Sequence, residues 1–202
     1  MQTVRATDKR MLGFTLIEMV IVLVLISILA AILTPIFETY LDRARYEEAK
    51  ADVENIGAAM IEYNCDTRMW PIYPLLQDIP DGPVYNLLAG PGNQPAVAST
   101  IPDWAPILAS STTTTSLDGM LNTNYFLSPT NGEIAWKGPY LQLGPDPWGN
   151  SYYVTAANLS PESIYTAYII SAGPNQMIET LFYQYRQNPL VVGGDDIVFR
   201  LR

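Results

Sequence analysis

Residues 14–37 form an apolar run of 24 residues that holds a single charged side chain, Glu18. As a helix rising about 1.5 Å per residue, the run spans roughly 36 Å, enough to cross a hydrocarbon core of about 30 Å with some tilt. A helix is the form such a run must take in lipid, because no water is there to satisfy backbone groups. The lone carboxylate is expensive, on the order of 2.5–3.5 kcal/mol by insertion scales, so it needs a partner. Residues 1–13 carry Arg5, Lys9 and Arg10 against Asp8. That basic flank predicts a cytoplasmic N-terminus and a C-terminal part on the other side. Two plain alternatives fit the same run: a secretory signal peptide cut near Ala30-Ala31, or an uncleaved signal anchor.

Helical patterning continues past the run. Between residues 38 and 64 there is no Pro and one Gly, Gly57. Ala49, Val53, Ile56, Met60 and Tyr63 recur at intervals of 4, 3, 4 and 3, one apolar stripe at helical spacing. Charged residues fill the other faces. The spacing predicts one long helix over about 14–63 whose second half needs a surface to pack on. Pro35 removes one ladder hydrogen bond and is expected to kink or loosen the helix.

The middle of the chain reads as loop. Eight prolines fall between Pro71 and Pro106, and residues 110–116 read SSTTTTS. Met69-Trp70-Pro71 and Trp104 are expected to pin it to the rest of the chain, because aromatics bury large area. The C-terminal third reads as β: residues 151–155, 164–170 and 195–199 are rich in aromatic and β-branched residues. Ser160-Pro161-Glu162 suits a turn, and Asp146-Pro147-Trp148-Gly149-Asn150 suits another with Trp148 packed under it.

Charge and composition exclude several functions. The formal net charge is −9, and removing residues 1–13 leaves 8 basic against 19 acidic side chains, formally −11. Such a surface repels nucleic acid and attracts cations. The chain has no His, hence neither the commonest general base nor the commonest transition-metal ligand. Its one cysteine, Cys65, cannot form an internal disulfide and is expected to be a small, partly buried apolar side chain. No nucleophile elbow, Cys-x-x-Cys or phosphate-binding Gly loop is present, so no catalytic residue is nominated.

Gly13-Phe14-Thr15-Leu16-Ile17-Glu18 resembles the processing site of type IV prepilins and pseudopilins. The resemblance implies cleavage by prepilin peptidase between Gly13 and Phe14 and N-methylation of Phe14. It implies that Glu18 pairs with a Phe14 ammonium, of its own chain or a neighbour's, and so sets subunit register. Pro35 stands where that family has a proline at which assembled filaments lose helical order. The implied fold is α+β, type IV pilin-like: a long N-terminal helix packed on a small antiparallel C-terminal sheet. Residues 1–13 are then the leader and 14–37 the transmembrane and filament-core half of the helix. Residues 38–202 are the periplasmic head, comprising an amphipathic helix (38–64), a variable loop (65–136) and a β region (137–202).

The head is similar to the major pseudopilin of type II secretion systems, which drive folded proteins across the outer membrane. The resemblance rests on Tyr140-Leu141, Asp146-Pro147-Trp148-Gly149-Asn150, the Tyr-rich strand, Ser171-Ala172-Gly173-Pro174 and Gly194-Asp195-Asp196-Ile197. It covers about residues 13–75 and 137–198, and the stretch 76–136 is longer than that family has. The resemblance implies one calcium ion held by the Ala172 carbonyl, Asn175, Asp195 and Asp196. Two departures oppose it: Asn175 replaces an Asp, and the loop 175–195 is extended. Met177, Ile178, Leu181, Phe182, Tyr183 and Tyr185 in that loop offer a helical turn that clamps it by apolar packing without metal. Implied partners are copies of the chain in a helical filament, minor pseudopilins, an inner-membrane assembly platform and prepilin peptidase, with no nucleic acid. The implied location is the inner membrane, single-pass, with a periplasmic filament. The alternatives are a surface type IV pilus serving adhesion, motility or uptake, and a membrane-anchored enzyme. A pilus subunit usually carries a C-terminal disulfide loop, which one cysteine cannot make.

Overall fold

The computed structural model describes residues 14–70, 87–109, 114–123, 132 and 134–202. The chain divides into two compact units, Met1–Arg43 and Ala44–Arg202. Helix α1 (Leu16–Thr67) is continuous in sequence through both.

In the first unit α1 is exposed at every described residue. It contains a window of 18 residues with mean hydropathy 3.1, none of it buried, long and apolar enough to cross a membrane. Its hydroxyls turn back to the carbonyl four residues earlier: Ser27 to Leu23 (2.7 Å), Thr34 to Ala30 (2.8 Å) and Thr39 to Pro35 (3.1 Å). This hides polar hydrogens from an apolar solvent. Pro35 lies inside α1 without ending it. One missing ladder bond does not outweigh the helical turns on either side.

In the second unit the sequence stripe is the buried face of α1: Ala49, Val53, Ile56, Met60 and Tyr63 are all at most 2% exposed. Gly57 lies on this face too, and a Cβ there would collide with the Phe199 ring. The helix runs four residues past the predicted end. It closes where Arg68 takes a left-handed conformation (φ 59°) and donates its N–H to the Asn64 carbonyl at 2.8 Å, a C-terminal cap made without glycine. Cys65 is exposed, contrary to expectation. It points away from the face that buries Tyr63 and Thr67, as two residues along a helix must.

The remaining elements are β1 (Leu87–Ala89), β2 (Ala96–Val97), α2 (Ala105–Ala109), β3 (Thr114–Ser116), α3 (Leu117–Thr123), β4 (Tyr153–Val154), a 3₁₀ turn (Ala156–Leu159), β5 (Tyr168–Ser171), β6 (Met177–Ile178) and β7 (Ile197–Arg200). One five-stranded sheet has the order β3-β1-β4-β5-β7; β2 and β6 form a separate parallel pair. The steps β1–β4, β4–β5 and β5–β7 are antiparallel, and β1–β3 is parallel. The fold is thus α+β, a long N-terminal helix with a small, mostly antiparallel C-terminal sheet. The Ser160-Pro161-Glu162 turn forms as expected, with the Ser163 N–H donating to the Ser160 carbonyl at 3.0 Å.

The sheet is covered on both faces. Val154, Ile169 and Ile197 face the cluster that holds the α1 stripe, with Leu117, Met120 and Leu121 of α3. Tyr153, Tyr168 and Ile170 face a second cluster with Leu87, Ile101, Trp104, Ile107, Ile178 and Phe182. Burial on both sides explains why these strands read as unbroken apolar and aromatic runs rather than as alternation.

The described part of the middle of the chain carries more regular structure than its composition suggests. It supplies β1, β2, α2, β3 and α3, and parts of both clusters. Strands of two or three residues are too short to leave a periodic signal, which is why the stretch reads as loop. Trp104 pins it as expected: fully buried, it donates Nε1–H to the Thr180 carbonyl at 2.7 Å. Trp70 packs partly buried on the first cluster, whereas Pro71 lies outside the described residues.

Candidate functional site

Two places carry the residues singled out in the sequence. The first is the start of α1. Gly13 lies outside the described residues, and Phe14 is 81% exposed. Thr15 immediately precedes the helix and Glu18 is its third residue. The Glu18 carboxylate accepts the Thr15 backbone N–H and the Thr15 hydroxyl, both at 2.8 Å, while the Thr15 hydroxyl oxygen accepts the Glu18 N–H at 3.3 Å. This is a reciprocal capping box, with two of the helix's orphan N–H groups satisfied. Thr15-x-x-Glu18 is its sequence signature, and Thr15 was missed as a functional residue although the signature was legible. The Glu18 side chain thereby sits at the positive end of the helix dipole, four residues after Phe14.

The second place is the loop between β5 and β7. Ala172 is buried, and Gly173 follows it at φ 65° with the Asp195 backbone pressed where a Cβ would go. The Asn175 N–H donates to Asp195 Oδ2 at 3.0 Å. Asp196 Oδ2 accepts the N–H groups of Glu179 (2.8 Å) and Thr180 (2.6 Å). The structure therefore gathers the four predicted calcium residues into one loop. Glu179, not predicted, lies among them: its carboxylate accepts the Asn175 amide at 2.8 Å and packs against Gly194.

The donor set matches a hard cation only in part. Asp195 Oδ1 and Asp196 Oδ1 are buried and have no hydrogen-bond partner, as oxygens awaiting a cation would be. Asn175 is engaged with the loop itself, its Oδ1 accepting the Met177 N–H at 2.7 Å. Among the described residues no group of three or more acidic, His or Cys side chains is arranged to hold a metal. Burial is the main reason the Asp196 carboxyl rises from 3.8 to about 6, with the Glu179 charge adding to it.

The extended loop does not form the predicted helical turn. Met177 and Ile178 form β6, paired with β2 of the middle segment at Ala96 and Val97. Phe182 is fully buried against Trp104, ring centroids 5.0 Å apart and edge-to-face. Leu181, Tyr183 and Tyr185 are instead 47%, 46% and 55% exposed, so of the three residues expected to pin the loop only Phe182 does so. Asp103 Oδ2 accepts the N–H groups of Phe182 (2.9 Å) and Tyr183 (3.4 Å). Residues 96–104 of the middle segment and residues 177–183 of the extended loop are thus joined by strand pairing, a ring contact and side-chain hydrogen bonds.

The Asp146–Asn150 turn is built by its aspartate. Asp146 Oδ1 accepts the N–H groups of Trp148 (3.0 Å) and Asn150 (2.8 Å), and Oδ2 accepts the Ser171 hydroxyl at 2.7 Å. Ser171 lies one residue before Ala172, so this turn also fixes the start of the β5–β7 loop.

Comparison with known proteins adds to this geometry. The family described as the prokaryotic N-terminal methylation motif matches residues 8–34. The type IV major pilin protein PilE of Neisseria gonorrhoeae is 41% identical over 59 residues, 29% of this chain and 35% of that protein. Type II secretion system core protein G of Pseudomonas aeruginosa is 41% identical over 59 residues, 29% of this chain and 42% of that protein. Fimbrial protein EcpC of Eikenella corrodens is 42% identical over 59 residues, 29% of this chain and 39% of that protein. The match thus spans well under half the length of each of these relatives. No solved structure matches the chain. The chain carries the N-methylation motif of type IV pilins, and over its N-terminal region it is related to type IV pilins and to the protein G pseudopilin of type II secretion.

Proposed function

We propose that this chain is a structural subunit of a type IV pilin-like filament, specifically the major pseudopilin of a type II secretion system. One observation carries the proposal. An exposed apolar helix of membrane-spanning length bears one carboxylate, set in its first turn directly after a Gly-Phe junction inside a methylation motif. Prepilin peptidase removes residues 1–13 and Phe14 is methylated. The new ammonium and the Glu18 carboxylate then offset each other's burial, which neither tolerates alone in a filament core. Residues 14–37 anchor the chain in the inner membrane, single-pass, with the head in the periplasm. Copies of the chain, minor pseudopilins and an assembly platform are the partners. The role is mechanical rather than catalytic.

The secretion reading is favoured by the Asp146–Asn150 turn leading into β4, the feature that most resembles a pseudopilin head. A second reading, a surface pilus, is favoured by the similarity to the gonococcal pilin. Deleting the gene separates them: loss of export of folded proteins supports the first, and loss of surface fibres with export intact supports the second.

The β5–β7 loop is proposed to hold calcium through Asp195 and Asp196, with the Ala172 carbonyl and Asn175 as the remaining family positions. Calcium would supply charge compensation for the buried Asp196 and the half-buried Asp195 carboxylates and close the loop. Asn175 is the weakest of the four, because its amide is committed to Met177 and Glu179.

The assembly claim is tested with Glu18→Ala. This variant is expected to be cleaved and inserted normally but to give few or no filaments, seen by shearing and electron microscopy. Normal filament yield would remove Glu18 from assembly.

A further inference from the structure

Three tyrosines stack at the surface of the second unit. The Tyr165 ring lies 5.0 Å from Tyr183 and 5.4 Å from Tyr185, centroid to centroid, at 54° and 38°. Tyr183 and Tyr185 nevertheless remain about half exposed. Neighbouring aromatic rings left in water mark a surface that meets something.

Tyr185 also lines a cleft of about 480 Å³ whose two walls are residues 161–164 and 185–188. That volume lies in the range of small-ligand sites. Backbone hydrogen bonds join the two walls along one edge and fix their spacing. Tyr165 and Tyr185 form an antiparallel bridge, the Arg186 N–H donates to the Ile164 carbonyl at 2.8 Å, and the Thr166 N–H donates to the Gln184 carbonyl at 2.7 Å. On the second wall the Asn188 N–H donates to the Tyr185 carbonyl at 3.0 Å, and the Arg186 carbonyl accepts Arg200 Nη2–H at 2.7 Å. The backbone of the cleft is thus preformed, and the ordering that binding costs falls on its exposed side chains.

Its chemistry is specific. Glu162 and Arg186 cancel formally, so the lining is neutral on a chain of net charge −9. A phosphate ligand or nucleic acid requires an excess of cations, which this lining lacks. The two amides, Gln187 and Asn188, and the Ser163 hydroxyl can donate and accept hydrogen bonds, and the Glu162 carboxylate accepts them. A pyranose ring offers the complement: an apolar C–H face for an aromatic ring, and hydroxyls around its edge that donate and accept.

We propose that this cleft binds a neutral oligosaccharide, with the Tyr185 ring as its stacking platform and Glu162, Gln187 and Asn188 as its hydroxyl partners. The site is independent of which filament the chain builds. The competing use of the same tyrosines is contact with the head of a second copy.

The test uses the chain as purified from membranes in a phosphocholine detergent, whose headgroup carries no sugar. Maltohexaose, cellohexaose and chitohexaose are titrated by calorimetry. At least one is expected to bind with Kd below about 1 mM. Tyr185→Ala is expected to weaken it about tenfold or more, Tyr185→Phe by less than about threefold, and Gln187→Ala by about fivefold. Because these side chains are at the surface, unchanged melting curves establish that the variants fold. No binding of any of the three sugars, or binding that Tyr185→Ala leaves unaltered, overturns the proposal. A silent titration together with reduced filament yield in Tyr185→Ala assigns the tyrosines to contact between copies instead, which also overturns it.

Discussion

Phe182→Ala tests whether the middle segment and the extended loop are one piece. Phe182 and Trp104 are both fully buried and meet edge-to-face at 5.0 Å. Truncating a buried Phe to Ala costs about 3–5 kcal/mol in lost transfer energy and cavity formation, and the edge-to-face term accounts for about 0.5–1.5 kcal/mol beyond area burial. For a unit of this size each kcal/mol lowers Tm by roughly 2–4 °C, so the shift is roughly 6–20 °C. The assay is thermal melting of the mature chain in detergent, followed by near-UV circular dichroism so that the anchored part of α1 does not dominate. Hydrogen exchange gives the sharper reading. Ala96 and Ala98 donate to the Gln176 and Ile178 carbonyls at 3.1 and 3.0 Å across the β2–β6 pair. Removing Phe182 is expected to speed exchange in residues 96–98 and 177–182 together. A Tm loss below about 2 °C, or loosening of one stretch with the other still protected, would refute the coupling.

Two further predictions follow from the loop and the helix. In chelator, the raised Asp196 carboxyl favours the folded state when protonated. Its contribution is fully present below the unfolded value of 3.8 and is lost as pH rises through about 6. Wild type is therefore expected to lose on the order of 1 kcal/mol more stability than Asp196→Asn between pH 5 and pH 7.5, and added calcium to raise Tm at pH 7.5 far more than at pH 5. Identical pH slopes in the two proteins would count against the buried carboxyl, and no calcium response at pH 7.5 against the ion. Tyr152→Phe breaks a 2.7 Å hydrogen bond donated by a fully buried hydroxyl to the Asp52 carboxylate of α1. Bonds to charged groups are worth about 1.5–3 kcal/mol, so Tm is expected to fall by roughly 3–12 °C, and an unchanged melt would show that water replaces the contact.

What the sequence made legible follows from periodicity and local chemistry. The stripe Ala49, Val53, Ile56, Met60, Tyr63 is buried as read, because five apolar side chains at helical spacing have few other fates. The strands at 153–154, 168–171 and 197–200 lie in or overlap the stretches read as β, whose residues suit a sheet buried on both faces. Asp195, Asp196 and Asn175 lie in one loop, a grouping that family resemblance implies and residue spacing alone does not. The order in the middle segment was illegible for a physical reason. Leu87, Trp104, Leu117 and Met120 are each buried by partners far away in sequence, and elements of two to seven residues leave no period to read. Glu179 and Asp103 were invisible for the same reason: Glu179 accepts the Asn175 side-chain amide and Asp103 accepts the Phe182 backbone N–H, donors that only the folded loop brings near. Thr15 is legible in the Thr-x-x-Glu pattern: Glu18 is both a charge that needs a cation and the far half of a helix cap.

The most direct test of the central claim is the N-terminus of the chain recovered from membranes, read by intact-mass and peptide mass spectrometry. The expected chain begins at Phe14 and carries one added methyl group on its amine, with residues 1–13 absent. A chain that still begins at Met1, or one cut beyond Ala30, contradicts it.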